Sequence, residues 1–483
     1  MKENTDKLIF WFDAIGRNDK QLVGGKNANL GEMYQNLSQS YKATFLGEKI
    51  EVPFGFAVST AAYRYFITAN QLSEKIAKVL DGLDLKVIKN LEERSKEVQQ
   101  LILNAPLPAE LEKEIISAYE QLAAKLKLKL ADLRVAVRSS SVDEDLSNAS
   151  FAGQQESYLN IKGAGPLVEA VKKVFASLFT VRAIMYRGGQ QHKILNASIS
   201  VGVQKMARSD IGSSGIMFTM DTENGFDNLV LINASYGLGE MVTKGAVTPD
   251  EYKVFKSMLG KGTGAVLEKF LGSKEKKLVC SDNEQPTKQL PVGTEARHTF
   301  ALTDEQIVQL AKWALIVENY FAMPMDIEWA YDGEVNSFFI VQARPQTALT
   351  KQKISENHEY LLLETGQVLA EGMAVGKKIA SGKAHFISSV SEMDKFKAGE
   401  ILIAEYADAD WAPLIKIAAA VVTDKGGRAS HAAIISREFG VPAVVGTGKA
   451  TTAIKDGEIL TVSCAQGQDG KVYKGNLKFK IKV

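Results

Sequence analysis

The sequence predicts a multidomain α/β protein, and three observations carry that expectation. The chain has 483 residues, which at ordinary domain size corresponds to roughly three domains. Residues from about 60 to 130 mix Lys and Glu with apolar residues at three- and four-residue spacing, as in SEKIAKVLDGL and ELEKEIISAYEQLAAKL. That spacing is the pattern of helices with one solvated face. From RVAVRSS onward, strand-like runs take over: RVAVR (134–138), ISVGVQKM (199–206), GIMFTM (215–220) and LVLINA (229–234). Gly-, Asp- and Asn-rich turns separate them.

Composition and charge narrow the function classes. With 45% hydrophobic and 24% charged residues, each domain can bury a core. Lys and Arg number 58 against 57 Asp and Glu, a net charge of +1. That balance gives no electrostatic footing for nucleic acid or an anionic membrane as the main partner. Two cysteines, Cys280 and Cys464, cannot build a disulfide framework, and no C-x-x-C spacing exists for zinc. A reducing compartment fits. The opening MKENTDKLIFWFDAIG holds only a short apolar run, too short for a signal-peptide core. No run approaches the ~20 apolar residues of a membrane helix. The expectation is a cytoplasmic protein.

The later elements follow in order. Thr303 and Gln306 form a capping-box pattern ahead of the amphipathic run IVQLAKWALIVENYF, which ends near Pro324. Two strands, MDIEWAY (325–331) and SFFIVQAR (337–344), joined by DGEVN, read as a β-hairpin. The polar stretch ALTKQKISENH loses periodicity and reads as a linker. A third unit begins near residue 370, with short strands KAHFI, ILIAE, AAAVV, PAVVG and ILTVSCA. Asp456-Gly457 and Asp469-Gly470 are turn signals within it.

One of only five histidines stands in TDKGGRASHAAIISREFGVPAVVGTG (423–448). The pattern is buried strand, glycine turn and helix start. Gly426 and Gly427 can take positive φ and let the backbone approach a ligand. The helix AAIISREF reaches Gly440, a C-terminal cap, with Pro442 beyond. His431 therefore falls at a helix N-terminus, where unpaired N–H groups and the dipole favour an anion. That setting lowers the proton affinity of imidazole and favours its neutral, nucleophilic form. Arg428 is close enough in sequence to add charge-assisted hydrogen bonds to a phosphate on the ring. The alternative is a structural histidine that caps a turn.

Other segments suit phosphate. LVGGKNANLGEM (22–33) is a glycine pair, a lysine and a helix, but not a P-loop, because Asn27 stands where that motif needs Ser or Thr. By itself it is an ordinary turn. Arg138 ends a strand ahead of three serines, and its guanidinium can pair with phosphate oxygens while the hydroxyls complete a cradle. A surface salt bridge is the plainer alternative. On the hairpin, Asp326 and Glu328 share one face of their strand, and Gln342 and Arg344 share one face of its partner. Carboxylate and amide oxygens there could hold Mg²⁺, and the guanidinium a phosphate. An exposed polar face with an ordinary ion pair is the other reading.

Taken together, GGKNANLGEM, VAVRSSSVDEDLSNASFAGQQESYLN, VQKM, PMDIEWA, IVQARPQT and GGRASHAAIISREFGVPAVVG resemble the N-terminal two-thirds of phosphoenolpyruvate synthases, within the pyruvate phosphate dikinase superfamily. The motifs occur in that family's order and span nearly the whole chain. The resemblance implies an ATP-grasp nucleotide-binding domain at 1–347, with subdomains of about 1–200 and 201–347. It implies a hinge-like linker at 348–370 and a swivelling phosphohistidine domain at 371–483. Carried over by motif, Lys26 and Arg138 contact ATP phosphates, Gly153 and Ser157 lie in a phosphate-covering loop, and Gln204 lies by the adenine. Glu328 and Gln342 hold Mg²⁺, Arg344 binds phosphate and His431 is phosphorylated. The implied activity is a dikinase reaction: ATP gives a pyrophosphoryl-histidine, water releases phosphate, AMP leaves, and the phosphohistidine swings to pyruvate to make phosphoenolpyruvate.

Two departures accompany the resemblance. The family's pyruvate-binding TIM barrel has no counterpart before Val483, so the expected acceptor site lies on a missing or separate domain. Self-association and a partner subunit both stay open. Ala429 stands where the family usually has Thr, leaving Ser430 as the neighbouring hydroxyl. Rival readings are a dikinase with another acceptor, such as a rifampicin phosphotransferase, a phosphocarrier or inactive scaffold that keeps the folds, and an ATP-grasp ligase. The nucleotide product separates them.

Overall fold

The run RVAVR folds as the expected strand, but the strand does not end at Arg138 and continues through the three serines to Ser141, in the computed structural model, which describes residues 6–39, 49–85, 87–142, 156–188, 194–223, 225–261, 264–346 and 359–482. The chain divides into two units. The first comprises Met1–Arg208, Val279–Lys288 and Ala330–Arg344; the second comprises Ser209–Leu278, Gln289–Trp329 and Pro345–Val483.

In the first unit, β1 (Ile9–Trp11), β2 (Gly55–Val58), β3 (Arg134–Ser141), β4 (Ser157–Lys162) and β5 (Ile199–Lys205) form an antiparallel sheet in the order β1-β2-β5-β3-β4. The helical texture of 60–130 resolves into Thr60–Ala69, Leu72–Val79, Ile88–Asn104 and Ala109–Lys125. The last buries Leu111, Ile115, Ala118, Tyr119 and Leu122, the stripe that three- and four-residue spacing produces. Tyr119 also ties that helix to the sheet region. Its hydroxyl donates to the carbonyl of Leu133 at 2.7 Å and accepts from the amide of Gly163 at 3.0 Å.

In the second unit, β6 (Ser213–Phe218), β7 (Leu229–Tyr236), β8 (Asp250–Phe255) and β9 (Val266–Phe270) pair antiparallel in that order. β10 (Lys276–Cys280) pairs with β11 (Thr287–Pro291). The expected hairpin is present as β12 (Met325–Asp332) and β13 (Ser337–Pro345), and β12 lies beside β6. The helix Asp304–Phe321 begins on the expected box: Thr303 Oγ1 accepts from the Gln306 amide, and Gln306 Oε1 accepts from the Thr303 amide. It ends on Ala322 in the left-handed region, φ 55°.

β14 (Glu359–Leu362) lies inside the stretch read as a linker and pairs with β22 (Phe479–Lys482). Its short apolar run was hidden by the polar residues before it. Between them, β15 (Val368–Val375), β16 (Ile379–Phe386), β17 (Ile401–Ala404), β18 (Ala420–Thr423), β19 (Ala443–Val445), β20 (Ile459–Ser463) and β21 (Asp469–Lys474) close into a barrel. Its strand order is β15-β19-β18-β17-β16-β20-β21, parallel from β16 to β19. Ile401, Ile403, Val422, Val444, Leu460, Val462 and Val472 fill it, with Ala370, Ala374, Ala384 and Ala420 between them. The expected turn at Asp469-Gly470 is a strand start instead, and the positive φ falls at Gly467. Gly470 is small for packing: a Cβ there would lie 2.6 Å from Val444. No helix among the described residues is long and apolar enough to cross a membrane.

One charged pair is wholly buried in the second unit. Lys274 and Asp250 are each 0% exposed and form an ion pair. Asp250 also accepts from the amides of Gly272 and Ala301, at 2.8 Å each. Such a pair is weak evidence of net stability, but removing one partner strands the other charge.

Lys274→Met is therefore expected to lower unfolding free energy by about 3–5 kcal/mol, and the double variant Lys274→Met/Asp250→Asn to recover part of it, measured by denaturant unfolding. At the helix Asp304–Phe321, Thr303→Ala is expected to cost about 1 kcal/mol. Ala322→Gly is expected to gain about 1 kcal/mol by relieving the left-handed strain, read as opposite shifts in the same measurement.

Candidate functional site

The Gly-Gly-Lys segment is held against β3 by contacts that only glycine permits. Gly24 interrupts the helix Lys20–Met33 with φ 72° and ψ 167°. A Cβ there would lie 2.2 Å from the carbonyl oxygen of Ser140. The next turn is pinned by Asn27, whose amide donates to Ser140 Oγ at 3.1 Å and whose Nδ2 donates to Ser200 Oγ at 3.1 Å. Gly202 clears space for Asn27, since a Cβ on it would meet Oδ1 at 2.3 Å. These contacts set Lys26 beside β3 and β5.

Lys26, Arg138, Gln204 and Gln342 then line one cavity of the first unit, together with Phe12, Asn27, Leu30 and Gly202. Arg138 reaches β13 through two arms. Its Nη1 donates to the Val341 carbonyl at 2.8 Å and its Nη2 to Gln342 Oε1 at 2.9 Å. Gln204 is 2% exposed, and its Nε2 has no hydrogen-bond partner among the described residues. A buried amide donor left so is expensive unless a ligand satisfies it. The cavity offers cations at Lys26 and Arg138, and amide groups at Gln204 and Gln342.

The remaining expected residues are placed as follows. Ser157 opens β4 directly across from Arg138. Gly153 lies outside the described residues. Arg344 is half-buried on β13, two residues beyond Gln342. Glu328 is half-buried on β12 and belongs to the second unit, with the buried Asp326 two residues before it. The three serines after Arg138 do not present a cradle: Ser139, Ser140 and Ser141 are buried, Ser139 Oγ donates to the Glu156 carbonyl, and Ser140 Oγ holds Asn27. Sequence reasoning missed Asn27 as the residue that seats the lysine turn. Its signal is GGKNAN itself, where a P-loop hydroxyl is replaced by an amide able to bridge two strands.

In the second unit, His431 is half-buried as the first residue of the helix His431–Phe439. Ser430 caps it, its Oγ accepting from the Ala433 amide, and Gly440 ends it at φ 66° as the sequence implied. Gly426 takes φ 103°, so one glycine of the expected pair supplies the left-handed turn. Asp424 braces the loop from behind: Oδ1 accepts from Thr447 Oγ1 at 3.0 Å and from the Thr451 amide at 3.2 Å.

The loop before His431 packs on the β6–β8 face. Ala429 is 0% exposed and clusters with Ile216, Phe218 and Leu231. Arg428 is 4% exposed. Its Nη1 donates to Glu251 Oε1 at 2.5 Å and its Nη2 to the Gln468 carbonyl at 2.9 Å. Arg437, on the same helix, donates through Nε to Glu223 Oε1 at 2.8 Å, and Glu223 Oε2 accepts from the Gly376 amide at 2.8 Å. Neither Glu251 nor Glu223 was legible as a partner, because both are distant in sequence. Among the described residues no group of three or more His, Cys, Asp or Glu is placed to hold a metal ion.

Two family models match the chain, one after the other along the sequence. The family model for the pyruvate phosphate dikinase AMP/ATP-binding domain matches residues 20–362, and that for the PEP-utilising enzyme mobile domain matches 396–467. The chain is 47% identical to a phosphoenolpyruvate synthase of Aquifex aeolicus over 490 residues, 99% of this chain and 56% of that one. It is 44% identical to the phosphoenolpyruvate synthase of Escherichia coli over 481 residues, 99% of this chain and 59% of that one. A phosphoenolpyruvate synthase of Synechocystis is 46% identical over 98% of this chain and 58% of its own. The chain thus spans somewhat more than half the length of these relatives. By the match over 20–362, it belongs to the pyruvate phosphate dikinase family defined by the AMP/ATP-binding domain.

Proposed function

We propose that this chain is the nucleotide-using and phosphohistidine part of a pyruvate, water dikinase. It would phosphorylate its own His431 from Mg-ATP: the imidazole takes the pyrophosphoryl group and AMP leaves, and water then cleaves the terminal phosphoryl as phosphate, leaving phosphohistidine. Residues 1–347 act as an ATP-grasp nucleotide-binding domain, 348–370 as the linker, and 371–483 as the swivelling domain. The phosphoryl group is then destined for pyruvate at a barrel domain of the kind the longer relatives have room for. The observation that carries this reading is the gathering of Lys26, Arg138, Gln204 and Gln342 around one cavity.

Each of these residues has a task that fits its chemistry. Lys26 and Arg138 neutralise the phosphate chain, and the planar guanidinium of Arg138 suits paired phosphate oxygens. Gln204 supplies a buried amide donor for a base edge. Arg344 adds a second guanidinium on the Gln342 strand, Ser157 stands across from Arg138 at the start of β4, and Gly153 is assigned by motif to the phosphate cover. Glu328 and Gln342 offer oxygen donors, the type a hard cation such as Mg²⁺ takes, with waters and phosphate oxygens completing its shell. Mg²⁺ when bound would neutralise charge on the nucleotide phosphates. The chain's own nucleophile is the imidazole of His431, at a capped helix N-terminus whose amides favour an incoming anion.

ATP labelled at the β phosphorus is expected to leave acid-labile label on the wild-type chain and none on His431→Ala. Stable labelling of that variant would remove His431 from the role. Arg138→Lys keeps the charge but loses the two-armed geometry. The rate of labelling is expected to fall about 100-fold or more, with folding unchanged by circular dichroism.

A further inference from the structure

The loop that carries His431 sits on its sheet through one apolar contact flanked by two ion pairs. Ala429 fills the apolar position among Ile216, Phe218 and Leu231. Arg428 pairs with Glu251 on one side, and Arg437 with Glu223 on the other. The backbone fit is close. A Cβ on Gly245 would lie 2.8 Å from Ser430 Cβ, and one on Gly427 would lie 3.2 Å from Pro249 Cδ.

The two ion pairs differ in construction. Arg437 engages one carboxylate oxygen of Glu223 through both Nε and Nη2, and the second oxygen is taken by the Gly376 amide. Arg428 offers Glu251 only Nη1. Its Nε and the Oε2 of Glu251 are buried, and neither has a hydrogen-bond partner among the described residues. A one-armed pair with a spare donor and a spare acceptor is the more easily exchanged of the two, since Arg437 holds Glu223 through two N–H groups and the backbone takes the carboxylate's other oxygen.

We infer that Glu251 is a positioning residue: it holds Arg428, and so seats the His431 loop, until a phosphoryl group on His431 takes the guanidinium over. This rests on the phosphorylation of His431 proposed above. Such a group carries roughly −1.5 to −2 charge and three acceptor oxygens, more than the single carboxylate offers. It would form three residues along the chain from Arg428. Once Arg428 turns to it, Glu251 is left as a carboxylate at 1% exposure without its arginine. A buried unpaired charge is strongly unfavourable. The carboxylate regains water when the loop lifts from the sheet. The hand-over therefore couples loading of the histidine to release of its loop, and the Glu223–Arg437 pair, which the phosphoryl group does not contest, guides reseating.

The test is amide hydrogen exchange in residues 243–251 and 426–433, measured on the whole chain before and after loading with ATP and Mg²⁺ and removal of nucleotide. Wild-type protein is expected to exchange about tenfold faster after loading. Glu251→Gln is expected to exchange fast without loading and to change no further, while Glu251→Asp restores the slow unloaded state. Arg428→Lys, which keeps the charge but not the planar reach to Gln468, is a second variant with the same fast pattern should Glu251→Gln not fold. Loaded wild-type protein as slow as unloaded, or a Glu251→Gln pattern identical to wild type in both states, would overturn the inference. If no β-label enters the wild-type chain, the proposed activity falls and the hand-over with it. Fast exchange in unloaded Glu251→Gln would then still assign the seat to Glu251.

Discussion

A Cβ at Gly24 would stand 2.2 Å from the Ser140 carbonyl, and one at Gly245 would stand 2.8 Å from Ser430. These two absent side chains set the geometry of the lysine turn and of the histidine loop. The first lets the lysine turn lie flat on β3, so that Asn27 can bridge Ser140 and Ser200. The second lets the histidine loop come down on its sheet, so that Ala429 reaches the apolar seat and Arg428 reaches Glu251. In both places glycine takes a positive φ that a side chain would strain, and gives up the volume a side chain would fill. Backbone proximity comes first, and the polar contacts follow from it.

Caps, boxes and hairpins are legible in the sequence because their physics is local. The box at Thr303, the cap at Gly440 and the hairpin of β12 and β13 each depend on residues within a few positions of one another. His431 at its helix N-terminus belongs to the same class. What the sequence hid is non-local. The serines after Arg138 looked like phosphate ligands because their hydroxyls are polar; in the fold they are spent on Asn27 and on a neighbouring carbonyl. Arg428 looked like a free cation beside a histidine, and its partner lies 177 residues away. Gly470 looked like a turn because Asp precedes it, yet its small size serves the barrel interior. β14 was lost because four residues of strand carry little periodic signal.

Charge in this molecule is therefore used in two distinct ways. Lys274 and Asp250 are sealed together, with Asp250 also accepting from two backbone amides and the Tyr252 hydroxyl and Lys274 donating to the Gly272 carbonyl, an arrangement that fixes a local structure. Arg428 and Glu251 are nearly as buried, but each keeps an unused polar atom. In the first pair every polar side-chain atom has a partner, and nothing there invites rearrangement. The second is incomplete, and incompleteness in a buried pair is what allows a third charged group to compete.

The division of the chain has a practical meaning of its own. The polypeptide passes between the two units at 208–209, 278–279, 288–289, 329–330 and 344–345. No single protease cut or stop codon can release either unit whole, because each is assembled from three separated stretches. Neither is complete on the ribosome before stretches of the other have emerged. The first unit still lacks the hairpin strand bearing Gln342 and Arg344 when more than three hundred residues have already emerged. Completion of the first unit thus waits on two stretches of the second, and completion of the second waits on the whole of the first, by threading alone.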